Sequence, residues 1–369
     1  MLHLIENSRP PRFLLMGRRG AGKSTFINAI FDAKVAKVGA VKAQTGRTKW
    51  VEYERDGEKI EILDTRGFQE GEKPEEDDDA LTPQESIIKA ASEHCPDAIL
   101  FLCKATEVDA TIQKDLDILE KILIEVEKIW HGKLPIIGVI TQCDQLEPPD
   151  ILKLPTEDEE KNNNINTAVE VLKNHFSSRH YLHNNLVDVI PTAAFVRYRQ
   201  DGTQDKNRDY RWNIDYLADL IVKELPKDAK FGFARLARVR KYQKEMASSV
   251  IHCCAAACGC FGATPIPGAD LPVIGTIQTA MVMAVGYIGG RKLSLETASD
   301  FLATVGVGVG ANAGFTALAN SVVKLLPIVG QVISGAAAAT ATKGIGESAS
   351  AFFITQSPTE VVKQKIGLD

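Results

Sequence analysis

Residues 12 to 24 read RFLLMGRRGAGKS: an apolar run, a glycine-rich stretch, and a Lys-Ser pair. The run suits a buried strand and TFINAIF, directly after, suits a helix. The glycines must then form a strand-to-helix turn. In that turn glycine lets successive backbone N–H groups curl inward, and the helix N-terminus adds a field that favours anions. The G-x-x-x-x-G-K-S spacing in this context predicts a phosphate cradle. Gly17, Arg18, Arg19, Gly20, Ala21, Gly22, Lys23, Ser24 and Thr25 are its residues. Lys23 would reach the β- and γ-phosphates of a nucleotide, and Ser24 would ligate Mg²⁺.

Strand and helix patterns alternate through the first 225 residues. TKWVEYERDGEKIEILD (48–64) reads as two strands joined at Asp56-Gly57. AILFL (98–102), PIIGVIT (135–141) and LVDVIP (186–191) are further apolar strands. Helical stretches fall around 24–32, 111–131, 164–178 and 213–224. This order predicts an α/β fold: a mostly parallel six-stranded sheet with one antiparallel pair and helices on both faces. Ligands on such sheets bind at the carboxyl ends of the strands.

Three more motifs fall at those ends. Asp64 closes the strand KIEIL and suits a metal-holding carboxylate. Gly67, in DTRGF (64–68), presents an amide unshielded by a side chain to a γ-phosphate. In AQTGRTK (43–49) a threonine would close over the metal and the γ-phosphate. Thr45 and Thr48 are both available, and Thr45 is preferred because Thr48 is expected in the strand. TQCD (141–144) ends another strand. Asp144 can accept from both N1–H and the exocyclic amine of guanine, a pair that adenine lacks. The stem of Gln142 would pack on the base, with Thr141 beside it. In PTAA (191–194) the small Ala193 would let a backbone N–H reach the guanine O6. The expected ligands are GTP or GDP with Mg²⁺, the metal being held by Ser24, Thr45 and Asp64.

The motifs GRRGAGKSTFINAIF, DTRG and TQCD resemble those of the Era and MnmE (TrmE) branch of P-loop GTPases, over roughly residues 10–225. That resemblance implies GTP hydrolysis coupled to switch motions, with Lys23, Thr45, Gly67 and Arg19 as the catalytic set. The sequence departs from the branch's N-K-x-D motif, since Thr141 and Gln142 replace Asn and Lys. Phe68 stands where Ras-type proteins carry a water-orienting glutamine. Water positioning is then expected from Arg18, Arg19, Arg47 or Arg66, a backbone group, a bound cation or a second protomer. Slow basal hydrolysis that rises on self-association is the expectation.

Charge density divides the chain. Charges are frequent up to Glu245, whereas Met246–Ala269, Leu271–Gly290, Phe301–Val323 and Leu325–Thr342 contain none. The expected organisation is a nucleotide domain over 10–226, a basic helical linker over 227–245, and an apolar Gly/Ala-rich helical domain over 246–356. FARLARVRKYQKEM (233–246) reads as a basic helix suited to an anionic membrane surface. The uncharged runs are long enough to be spanning candidates, but prolines interrupt them and Ala and Gly dominate. Gly306, Gly310 and Gly314 are expected on one helix face. Four cysteines within 253–260 suit small buried residues better than a metal site. PIPGADLPVIGTIQTAMVMAVGYIGGRKLS (265–294) resembles the YcjF-type helical domain, which supports a membrane link. A nucleotide-dependent homodimer is a further expected partner. The net charge of −5 gives no global argument for nucleic acid, and none is expected. Seven cysteines without framework spacing, and no basic-then-apolar start, fit a cytoplasmic, membrane-associated protein. The alternative is a nucleotide-gated structural or immunity-like effector in which hydrolysis is incidental.

Overall fold

The computed structural model describes residues 8–35, 49–55, 57–64, 82–109, 112–199, 201, 203–262, 270–307, 314–325 and 334–367. The chain divides into two compact units, one over Ser8–Phe233 and one from Ala234 onward.

In the first unit six strands form one sheet. They are β1 (Arg12–Gly17), β2 (Lys49–Arg55), β3 (Glu58–Asp64), β4 (Ala98–Lys104), β5 (Ile136–Thr141) and β6 (Leu186–Pro191), in the order β2-β3-β1-β4-β5-β6. Only β2 runs antiparallel, against β3. All other neighbours are parallel, so the ends of β1, β3, β4 and β5 open on one side. Every residue of β5 is buried, as expected of a strand covered on both faces.

Around the sheet lie α1 (Lys23–Phe31), α2 (Pro83–Glu93), α3 (Ile112–Trp130), α4 (Glu159–Ser177), α5 (His180–Asn185) and α6 (Ile214–Glu224). On α3, Ile112, Leu116, Leu119, Leu123 and Val126 recur every three or four residues and all face the core. Fully burying one such side chain contributes roughly 1.5–3 kcal/mol. Helix α2 was not expected from periodicity. Its signal was a capping box, Thr82 with Glu85, followed by Pro83 in the first turn. A second departure is the hairpin β7 (Val196–Tyr198) and β8 (Gln204–Asp209), a separate two-stranded sheet in a polar stretch without alternation. Polar side chains hold it to the end of α1. Gln204 Nε2 donates to Asp32 Oδ1 at 2.7 Å, and Arg211 Nη1 donates to the same oxygen at 2.5 Å.

Helix α7 (Lys227–Leu236) contains the boundary between the units. The second unit holds α8 (Arg240–Gly262), α9 (Asp270–Ile288), α10 (Leu295–Thr304), α11 (Phe315–Val323), α12 (Gly335–Ser350), a wide turn (Ala351–Thr355) and α13 (Thr359–Gln364). Helix α8 packs along α12 and α9 crosses α11, each where a glycine removes the obstructing side chain. A Cβ on Gly346 would lie 2.6 Å from Ile251 Cγ1, and one on Gly275 would lie 2.5 Å from the Ala319 carbonyl oxygen.

Several sequence expectations change here. Residues 233–246 are not one helix. The chain breaks at Arg238, whose φ is +50°, and α8 starts at Arg240. Arg235 is buried rather than surface-facing. Its guanidinium lies 3.5 Å from the centre of the Tyr287 ring and its Nε donates to the Tyr287 carbonyl at 2.6 Å. Gly306 and Gly314 do not share a helix face, because Gly306 follows the end of α10 at φ +87° and Gly314 caps the start of α11. Gly310 lies outside the described residues. The run 301–323 contains the end of α10 and the nine-residue α11 rather than one continuous span. Among the described residues one helix stretch, Leu271–Ile288, is long and apolar enough to cross a membrane, and 56% of it is buried in the unit's own core. Of the four clustered cysteines, Cys258 is buried and Cys254 half-buried, whereas Cys253 and Cys260 are exposed.

Candidate nucleotide-binding site

The phosphate loop occupies the turn from β1 into α1. Gly17 is fixed by packing: a Cβ there would stand 2.6 Å from the Leu102 carbonyl oxygen on β4. Gly20 and Gly22 have φ values of +81° and +83°, which side-chain-bearing residues rarely adopt. The Ala21 amide donates to the Arg18 carbonyl at 3.1 Å, closing the loop on itself. The Lys23 ammonium spans the loop, donating to the Gly17 carbonyl at 2.5 Å and to the Arg18 carbonyl at 3.1 Å. Ser24 and Thr25 sit half-buried in the first turn of α1, a turn that contains no acidic residue. That is an environment suited to an anion.

The two arginines of the loop differ. Arg18 Nε donates to Asp115 Oδ2 on α3 at 2.7 Å, so this guanidinium is tied back to the scaffold. Arg19 is exposed. Asp64 ends β3 opposite Leu15 of β1, which sets its backbone beside the strand that feeds the loop. Thr45, Gly67, Phe68, Thr48, Arg47 and Arg66 lie outside the described residues.

The TQCD residues converge on the same loop from β5. Thr141 is buried, and its hydroxyl donates to the Ala21 carbonyl at 2.8 Å. Gln142 takes a left-handed conformation at φ +60°, and its amide donates to the Gly20 carbonyl at 2.7 Å. The polar end of Gln142 thus ties to the phosphate loop, a contact that sequence reasoning did not anticipate and that leaves its stem as the part expected to meet the base. Asp144 is only 7% exposed and lies in the short turn Cys143–Gln145. Burial pushes its carboxyl above the usual carboxylate range, opposed by its own backbone amide and by the Lys161 ammonium. The tip of β6 joins this loop, the Cys143 amide donating to the Thr192 carbonyl at 3.1 Å.

Ala193 is paired with Trp212 through both its backbone groups. Its amide donates to the Trp212 carbonyl at 3.2 Å and its carbonyl accepts from the Trp212 amide at 2.8 Å. The Ala193 N–H is therefore committed to the fold and does not reach outward to a base. Sequence reasoning also missed Lys161, a fully buried lysine on α4 that contacts the backbone of the Asp144 loop. It stands in the polar string EDEEKNNN, which reads as a solvated helix start and carries no local sign of burial.

A strand, a glycine turn with left-handed residues, a lysine across it and a half-sunk carboxylate at a neighbouring strand end define a P-loop nucleotide-binding domain. Residues 12–141 match the family described as 50S ribosome-binding GTPase. The chain is 33% identical over 112 residues to GTPase Der of Chromobacterium violaceum, which covers 29% of this chain and 23% of Der. It thus spans less than a quarter of the length of that relative. Among solved structures it is similar to Era in complex with MgGDPNP and nucleotides of 16S ribosomal RNA. There the identity is 22%, with 59% of this chain and 58% of that one covered and a TM-score of 0.36. It is also similar to Toc33 from Arabidopsis thaliana, at 16% identity with 62% and 86% covered and a TM-score of 0.35. The domain is thus a P-loop GTPase domain of the Era/Der-like type.

Proposed function

We propose that the chain is a GTP-binding, GTP-hydrolysing switch in the cytoplasm whose helical unit engages a membrane or a second copy of the chain. The single observation that carries the guanine assignment is Asp144. Its carboxylate is sunk at the tip of β5, among the described residues it is met by its own backbone amide and by no other residue's side-chain hydrogen bond, and Thr141 and Gln142 hold the phosphate loop. An acceptor kept in that state suits the paired donors of guanine. The family match over residues 12–141 supports the same ligand. In hydrolysis Lys23 would neutralise charge developing on the β- and γ-phosphates, and the loop amides would hold the γ-phosphoryl group in line. The Ser24 hydroxyl, half-buried with no hydrogen-bond partner among the described residues, fits a Mg²⁺ ligand, with Thr45 and Asp64 as the sequence's other candidates. The metal, when bound, would neutralise phosphate charge. Arg18 is tied to Asp115. Arg19, Thr45 and Gly67 remain the catalytic candidates beside Lys23.

The membrane reading rests on exposed Arg238, Arg240, Lys241 and Lys244 around the start of α8, and on the apolar stretch Leu271–Ile288. The YcjF-type resemblance of residues 265–294 agrees with it.

Binding of GTP and ATP by the purified full chain tests the ligand. GTP should bind at least about 100-fold more tightly, and Asp144→Asn should remove that preference and favour xanthosine nucleotides. Equal affinity for GTP and ATP would defeat the assignment. Turnover per protomer should rise with protein concentration or on adding anionic liposomes. A rate independent of both would defeat the second half. The same liposomes, and a 16S RNA fragment of the kind seen with Era, serve as competing partners in a sedimentation assay. Removal of residues 245–369 should abolish any lipid-dependent pelleting.

A further inference from the structure

The base-reading turn is held from behind by two side chains of one helix. Lys161, in the first turn of α4, is completely buried, and its ammonium donates to three backbone carbonyls. They belong to Asp144 at 2.9 Å, Pro148 at 3.1 Å and Leu146, the shortest of the three. One turn along α4, Asn164 Nδ2 donates to the Glu147 carbonyl at 3.0 Å. Residues 161 and 164 share a helix face, so four carbonyls between Asp144 and Pro148 converge on one clamp. The helix start is itself secured, since the Lys161 amide donates to Asp158 Oδ1 at 2.7 Å.

A buried ammonium is costly unless it is fully hydrogen-bonded. Here the carbonyls meet that need, and the charge sits behind the Asp144 carboxylate. We propose that Lys161 is a positioning residue for guanine recognition, and that with Asn164 it fixes the backbone of the Asp144 turn and keeps the carboxylate ionised to receive the base. This rests on the GTP reading above. The clamp acts on Asp144 by geometry and by charge, and the two effects separate experimentally. The charged and titratable groups around the turn are few. Cys143 stays a neutral thiol, its pKa pushed to about 12 by burial. Burial lowers the Lys161 pKa, and Asp144, Glu147 and Asp150 oppose that by their charge.

The experiment compares GTP with ITP, which keeps N1–H but lacks the exocyclic amine. Affinities are measured from about pH 5 to about pH 8 for the full chain, Lys161→Met, Lys161→Arg and Asn164→Ala. In Lys161→Met the GTP-over-ITP preference should fall about tenfold. The pH below which GTP affinity is lost should also move upward, because the ammonium no longer opposes protonation of Asp144. Lys161→Arg should restore that pH midpoint. Asn164→Ala, which touches only the partly exposed end of the clamp, should lower the preference about threefold without moving the midpoint. It keeps the test decisive if Lys161→Met does not fold. An unchanged preference in both clamp variants, or an unmoved midpoint in folded Lys161→Met, overturns the proposal. If the unaltered chain shows no preference for GTP over ATP, the guanine reading itself falls, and the proposal with it.

Discussion

Two sunken carboxylates in the nucleotide-binding unit are treated in opposite ways. Asp32, beyond the end of α1, is met by Gln204 and Arg211 from the β7–β8 hairpin side, with Arg55 of β2 at 4.0 Å. Burial works against its charge, but those partners outweigh burial and hold it below the usual carboxylate range. Asp144, at the tip of β5, is more enclosed and has only its own amide and the more distant charge of Lys161. Its carboxyl lies above the usual range. A group whose partners are all within the chain holds two pieces of the fold together. A group buried without such a partner weakens the free protein, which suits the ligand-binding role proposed for Asp144.

Removing each group should therefore move different quantities. Asp32→Ala leaves the Arg211 guanidinium and the Gln204 amide short of an acceptor. Because the Asp32 side chain is 35% exposed, its loss should cost about 2 kcal/mol, below the range for a fully buried pair. Urea unfolding should show that loss while GTP affinity changes less than about threefold. Asp144→Asn should give the reverse: stability unchanged or raised by up to about 1 kcal/mol, with GTP selectivity gone. If Asp144→Asn destabilises the chain as much as Asp32→Ala does, the distinction between a structural and a recognition carboxylate fails.

The neighbouring ties from β5 to the phosphate loop are smaller. Thr141→Val keeps the shape of a fully enclosed side chain but leaves the Ala21 carbonyl without its donor, which should cost about 1 kcal/mol. Gln142→Ala removes a solvent-accessible bond to Gly20 and should cost about half that in stability. Since Gly20 belongs to the phosphate loop, GTP should nonetheless dissociate several times faster. Equal off-rates in Gln142→Ala and the unaltered chain would return Gln142 to the role of a base-face residue.

What was legible in the sequence followed from chain-local spacing. Gly17 to Ser24 declare the loop because the glycines, lysine and serine must be near each other in sequence to be near each other in space. The sheet was legible because each strand is a short apolar run with a helix after it. Lys161 and Arg235 were not. Each is charged, stands among charges, and is buried only because backbone carbonyls distant in sequence turn toward it: Asp144 and Leu146 for the first, Tyr287 for the second. The Gly/Ala-rich half reads two ways for the related reason that small apolar residues suit a lipid-facing helix and a tightly crossed bundle equally. Gly275 against Ala319 and Gly346 against Ile251 show these glycines serving close helix crossings within the unit.

The finest test of the two carboxylates is their pH dependence. Asp32 has a folded pKa below its unfolded value. Its stabilisation is complete above the unfolded value and is lost as pH falls through the folded one. Asp144 has a folded pKa above its unfolded value, so its charge costs stability at neutral pH. That cost disappears as pH falls through the raised folded value toward the unfolded one. Asp32→Asn should then be less stable than the unaltered chain at pH 7, and Asp144→Asn more stable. As the solution is acidified each difference loses its pH-dependent part and levels off, because subtraction removes every other titrating group common to the pair. The Asp144 difference must level off first, above the usual carboxylate value, and the Asp32 difference only below it. With GTP bound the Asp144 difference should reverse sign, since the charged form then accepts the guanine donors. Urea midpoints for the three proteins at several pH values, with and without GTP, measure all of this. Levelling of both differences above the usual carboxylate value, with both Asn variants more stable at pH 7, would show that burial, rather than partners, governs both groups alike.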